Sequence, residues 1–175
     1  MVILFLVVPA VSSQAKNRSL ELAIKSDKQV YAKGEPIYVN YQIHNFKMGN
    51  IKLIPVFSTK DDIDPIQFSG DFVLSGGHLE KPVQVSTGGA FWPGAFLGRP
   101  VVLKEGERYD RKINILSGES ARYLKQPGKY TVTAKYNGND HEHYSEPGLW
   151  RGSLVSNAIT IEVVEKKGEK KPSVS

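Results

Sequence analysis

Side chains in the last third of this chain alternate between apolar and polar with a period of two, and that period limits what the chain can fold into. In Gly128-Lys129-Tyr130-Thr131-Val132-Thr133-Ala134-Lys135-Tyr136, the residues Tyr130, Val132, Ala134 and Tyr136 fall on one side of an extended segment. Thr131, Thr133 and Lys135 fall on the other. A strand points successive side chains to opposite faces, so this pattern buries one face and wets the other. Val155, Ile159, Ile161 and Val163 repeat the period in residues 154–163. Upstream, Leu20, Leu22 and Ile24 alternate with Glu21, Ala23 and Lys25, and Ile37, Val39, Tyr41 and Ile43 alternate with Tyr38, Asn40, Gln42 and His44. The predicted class is all-β.

Further strands are predicted at 51–57, 66–74, 101–103 and 108–115. Pro55 marks the first of these as an edge or a bulge, because proline cannot donate to a ladder. Residues 75–100 are rich in glycine and proline, with only Val83-Gln84-Val85 strand-like, and form one long connection in this reading. Ser117–Lys125 has room for one or two helical turns with Ser117 or Ser120 as N-cap. Seven or eight strands with a turn signal every eight to twelve residues predict an antiparallel sandwich with two long loops, 86–100 and 137–153.

The chain has 175 residues and no cysteine. That is ample for one domain and excludes disulfides, thiol catalysis and cysteine-ligated metals. Val2-Ile3-Leu4-Phe5-Leu6-Val7-Val8 is apolar, too short to span a bilayer as a helix, and runs into small residues ending at Ala15. Residues 1–15 therefore read as a signal peptide cleaved after Ser13 or Ala15, with an apolar first strand as the alternative. No Lys or Arg precedes the apolar run. The expected compartment is secreted or periplasmic, without a transmembrane segment. Residues 16–164 form the expected domain. Residues 165–175 form a basic, solvated tail whose four lysines and two glutamates supply +2 of the net charge of +5. No interleaving of basic and aromatic residues points to nucleic acid.

Candidate sites lie in the loops. Phe91, Trp92, Phe96 and Arg99 sit among glycines, and Tyr144, Trp150 and Arg151 lie in the second long loop. Large aromatics gain contact area at little rotamer cost, so these seven are the expected partner-contacting residues. The alternative is that the aromatics fold back as a satellite core, with Trp150 packed on the sheet. His141 and His143, at i and i+2 beside Asp140 and Glu142, are the most metal-like pair, against a polar exposed loop. Asp61, Asp62 and Asp64 lack the glycine and distal glutamate of a calcium loop. Asn17-Arg18-Ser19 matches a glycosylation triplet. There is no Gly-x-Ser-x-Gly elbow, no His-Glu-x-x-His and no phosphate-binding glycine loop. The chain is expected to be non-enzymatic, without cofactor.

Several segments carry a family resemblance. Tyr31-Ala32-Lys33-Gly34-Glu35-Pro36-Ile37-Tyr38-Val39 resembles the first turn of bacterial immunoglobulin-like and macroglobulin-like domains, and Leu103-Lys104-Glu105-Gly106-Glu107 resembles the turn before their E strand. Pro127-Gly128-x-Tyr130 looks like the approach to an immunoglobulin F strand, where a tyrosine hydroxyl bonds back to upstream backbone as a tyrosine corner. Together with Ser156-Asn157-Ala158-Ile159-Thr160, these segments are similar to the sandwich pro-region of secreted lysine-specific metalloendopeptidases and to small bacterial proteinase-inhibitor domains. The resemblance covers residues 20–164 and implies an immunoglobulin-like β-sandwich. These residues hold no His-Glu-x-x-His of the peptidase's catalytic domain, and Ser86-Thr87-Gly88-Gly89-Ala90 only echoes a Gly-rich inhibitory loop. The expected function is an exported interaction module for a protein partner, a protease or a cell-surface component. A protease inhibitor of the same fold and a metal-binding domain built on His141 and His143 are the alternatives.

Overall fold

The computed structural model describes residues 19–54, 70–86, 100–116, 120–139 and 147–166. Within them the chain order is β1 (Leu20–Ser26), β2 (Val30–Ala32), β3 (Tyr38–Asn45), β4 (Ile51–Leu53), β5 (Gly70–Gly76), β6 (Val83–Ser86), β7 (Val101–Leu103), β8 (Arg108–Asn114), α1 (Ala121–Leu124), β9 (Gly128–Asn137), β10 (Ser153–Val155) and β11 (Ile159–Val164). The chain is all-β. One sheet has the order β1-β3-β8 and a second has the order β2-β11-β9-β5-β6 with β10 also on β9, while β4 and β7 pair separately. Every strand pair is antiparallel except β2 with β11.

The alternating residues of both large sheets share one buried cluster. Leu22, Val39, Tyr41 and Ile43 enter it from the first sheet, and Phe72, Leu74, Val132, Tyr136, Ile161 and Val163 from the second. β9 carries the strictest alternation, its residues switching between buried and half-buried from Tyr130 to Asn137. It has β5 along one edge and β10 and β11 along the other, which satisfies both rows of its backbone groups.

Several details depart from the sequence reading. The described residues alone hold eleven strands, more than seven or eight. Two of the extra ones arise where the chain changes partner. After Ser26 it crosses to the other sheet, where Val30–Ala32 runs parallel to β11. The last predicted strand is broken at Ser156-Asn157-Ala158. Val155 pairs with Lys135 and Ile159 with Val132, so three residues on one side oppose two on the other. An extra residue of this kind is a bulge and reverses the inward set. Leu154 and Ile159 consequently pack against the core, while Val155 is 55% exposed and does not belong to the inward series. Residues 75–100 are not one connection, because β5 and β6 form a hairpin. Ser120 does occupy the N-cap of α1, but its buried hydroxyl donates to the Ile115 carbonyl at 2.5 Å instead of accepting from the helix. Pro55, residues 66–69, the predicted leader and the tail beyond 166 lie outside the described residues.

Polar staples hold the crossings. Tyr31 is fully buried; its hydroxyl donates to the Asp27 carboxylate and accepts from the Lys28 amide at 3.3 Å. Glu35 accepts from the Ala32 amide at 2.9 Å and pairs with Lys28, which holds its carboxyl below the usual range. Burial, then the bond to Asp27, pushes the Tyr31 phenol up to about 12. On the outer edge of β1, the Asn157 side chain accepts from the Ile24 amide at 2.9 Å and donates to the Ile24 carbonyl at 3.0 Å. One amide thus imitates a strand residue.

The Tyr130 hydroxyl donates to the Gln126 carbonyl at 2.7 Å, with the Tyr123 carbonyl at 3.2 Å. Its single proton being so used, the 3.0 Å contact to His78 Nδ1 has the imidazole as donor. Gly77 makes room for the ring: its φ is +59°, and a Cβ there would lie 2.4 Å from Tyr130 Cε1. Replacing Tyr130 by Phe removes the hydroxyl and leaves the Gln126 carbonyl short of a donor, so thermal or urea unfolding is expected to show a loss of about 1 to 2 kcal/mol. An unchanged melting temperature would refute the corner.

Burial raises the phenols of Tyr41 and Tyr130 as well as that of Tyr31. A raised phenol favours the neutral form in the folded state. Its stabilisation is complete below the ordinary value of 10.0 and is lost as pH rises through the folded value, about 12 for Tyr31. Absorbance titration of the tyrosines is expected to show Tyr31 ionising only at about 12, and Tyr41 and Tyr130 only above the ordinary value or together with unfolding. A single transition near 10 in folded protein would contradict this.

Candidate functional site

Strand registers decide where the described ends of the long connections lie. β9 ends at Asn137; Gly70 opens β5 opposite Tyr136, and Ser86 closes β6 opposite Asp71. In the other sheet β3 ends at Asn45, opposite the start of β1. The small β4–β7 ladder joins these two ends. Asn45 donates to the Leu103 carbonyl at 3.1 Å, Ile51 pairs with Leu103, and the Ile54 amide donates to the Tyr136 hydroxyl at 3.2 Å. The chain therefore leaves one end of the molecule after residues 54, 86 and 139 and returns to it at 70, 100 and 147.

Trp150 is the pillar of this end. Its amide donates to the Lys52 carbonyl at 2.8 Å, and the Lys52 amide donates to the Gly148 carbonyl at 3.0 Å, so residues 148–150 line up beside β4. The indole packs on Tyr136, with centroids 5.7 Å apart and planes inclined by 34°. Gly138 and Gly152 flank it closely. A Cβ would lie 3.1 Å from Trp150 Cε3 at Gly138 and 2.6 Å from Cζ2 at Gly152. The Gly138 amide donates to the Gly152 carbonyl at 2.8 Å and closes the base of the loop. Arg151 is exposed, and its guanidinium donates to the Gly138 carbonyl at 3.3 Å.

Asn45 braces the neighbouring connection. It is fully buried, donates to Gly49 and Leu103 carbonyls, and accepts from the Met48 amide at 2.9 Å. The Gly106 amide donates to its carbonyl at 2.6 Å. Every polar atom of the side chain is thus used, as a buried amide requires. Asn45 was not among the sequence candidates, although it continues the inward parity of 37, 39, 41 and 43. A polar residue at an inward position was the signal.

Of the nine candidate side chains, the structure places Trp150 and Arg151. Trp150 is half-buried against the core, which makes it a support for the loop more than a free contact. Phe91, Trp92, Phe96, Arg99, Tyr144, His141 and His143 lie outside the described residues, as do Asp61, Asp62 and Asp64. Among the described residues no three His, Asp or Glu side chains come together as metal ligands. The described histidines are both engaged, His78 with Tyr130 and His44 with the Phe46 ring at 3.7 Å. Beneath the platform, burial pushes the Tyr41 phenol well up, and Tyr136, Tyr109 and Asp71 push it the same way. Hydroxyls, aromatic rings and backbone amides make up this support.

Trp150→Ala removes the pillar and leaves a void between two glycines. The expected loss is about 2 to 4 kcal/mol in chemical unfolding, with hydrogen exchange rising first at Lys52 and Gly138. Unaltered exchange at those amides would show that the indole does not brace the loop.

No protein-family model matches the chain, and no curated protein matches it.

Proposed function

We propose that the chain is an exported, non-enzymatic binding module with an immunoglobulin-like β-sandwich, engaging a protein partner through the connections 86–100 and 137–153. The fold reading is supported by strand order: β1-β3-β8 facing β11-β9-β5-β6 corresponds to strands A, B, E against G, F, C and C′ of such domains. The tyrosine corner at the start of β9 agrees with it. Export is supported by the apolar run at residues 2–8 and the small residues up to Ala15.

One observation carries the binding reading. The limbs of three long connections leave from and return to a single end, where Trp150, Tyr136, β4 and Asn45 hold them in place. Loops mounted together on a rigid scaffold are the usual way a sandwich presents a recognition surface. The mature protein is expected to capture a partner from secreted or cell-surface proteins. Variants with residues 88–98 or 140–146 replaced by short Gly-Ser linkers are expected to lose that partner while keeping the wild-type melting temperature to within a few degrees. The same captured proteins in wild type and both variants would count against the proposal.

A further inference from the structure

The outward face of the β1-β3-β8 sheet lies away from the loop platform and carries a second, differently built feature. Its registers set two rows of side chains across the three strands: Lys25–Asn40–Lys112, and beside it Ala23–Gln42–Asp110. Together with Arg111 these rows line an open groove of about 590 Å³. The groove exists because Ala23 is the shortest side chain of the six and because Gln42 leans away to donate to the Asp110 carboxylate at 2.5 Å. On these two rows two cations, Lys25 and Lys112, stand beside one carboxylate, and that carboxylate is already engaged by Gln42. The Lys112 ammonium is held 4.6 Å from the Tyr38 ring centroid, and the Arg111 guanidinium lies 4.5 Å from that of Tyr109.

We propose that this groove binds an acidic polysaccharide. Its first row reads cation, amide, cation, with Lys25, Asn40 and Lys112 all exposed. Two strand spacings put the two lysine backbones about 10 Å apart. An extended chain bearing carboxylate or sulfate groups can set successive charges on Lys25 and Lys112 and a hydroxyl between them on the Asn40 amide, which both donates and accepts. The groove crosses the strands and offers side chains only. An acidic peptide would instead gain affinity by adding to a sheet edge through its backbone. Single-stranded nucleic acid calls for open aromatic faces to stack on, and here Lys112 already covers one face of Tyr38.

The test is affinity electrophoresis and calorimetry of the full chain at low salt, with polygalacturonate, dextran sulfate, neutral dextran, poly-glutamate and a single-stranded oligonucleotide as probes. The expected result is binding to one or both acidic polysaccharides and none to neutral dextran. Lys25→Ala with Lys112→Ala is expected to weaken binding about tenfold. Asn40→Ala, which changes no charge, is expected to weaken it about threefold. Lys47→Ala with Lys166→Ala removes the same charge elsewhere and is expected to bind as wild type. Equal losses in the two double variants would mean unspecific charge attraction and overturn the proposal. Binding of poly-glutamate or the oligonucleotide as tightly as polysaccharide would overturn it too, as would failure of both acidic polysaccharides to bind. Unchanged melting temperatures in the variants separate these outcomes from misfolding.

Discussion

Strand β9 is the element on which the rest of the molecule depends. It is paired along both edges and buried on alternate residues. The two tyrosines at its ends reach out of the sheet, Tyr130 to the Gln126 carbonyl and Tyr136 to the backbone of Ile54. A phenol suits this task because its ring fills core volume while its hydroxyl satisfies a backbone group that would otherwise be buried without a partner. One hydroxyl ties the strand to the turn before it. The other ties it to the connection that leads out of β4. The two ends of the sheet are thereby fixed in relation to loops that the ladder itself does not reach.

Around that strand, polar side chains act as joints. Asn45, Asn157, Ser120 and Tyr31 each make bonds where regular pairing stops: at a strand end, at an unpaired edge, before a helical turn and at a crossing between sheets. Backbone groups at such places lose their ladder partners and must find others. Short amides and hydroxyls can supply a donor and an acceptor from one side chain. Glycine serves the complementary need for space, at Gly77 under the Tyr130 ring and at Gly138 and Gly152 beside Trp150.

Much of this was legible in the residues. The alternation in 128–136 and 37–43 marked the two central strands with their inward sides, and Pro127-Gly128-x-Tyr130 marked the corner whose bonds the structure displays. The candidate site was less legible. Sequence reasoning selected aromatics in loops because loops and aromatics often bind. For Trp150 it offered both a partner contact and packing on the sheet, and the structure has the second, with the indole wedged between two glycines and a tyrosine. It also passed over Lys25, Asn40 and Lys112, which are ordinary outward residues on three separated strands until the registers align them in one row.

Local periodicity thus established, from the residues alone, that this is a β protein and which side of each main strand turns inward. That information is local because an extended backbone alternates its side chains wherever it runs. Only the tertiary structure decided which strands pair, that Val30–Ala32 changes sheets, that a bulge at 156–158 turns Val155 outward, and that Trp150 braces the end of the sheet where β9 finishes. Those are contacts between distant parts of the chain, such as Asn157 with Ile24 across 133 positions. Their stability depends on how whole surfaces fit together, which no short window of residues contains.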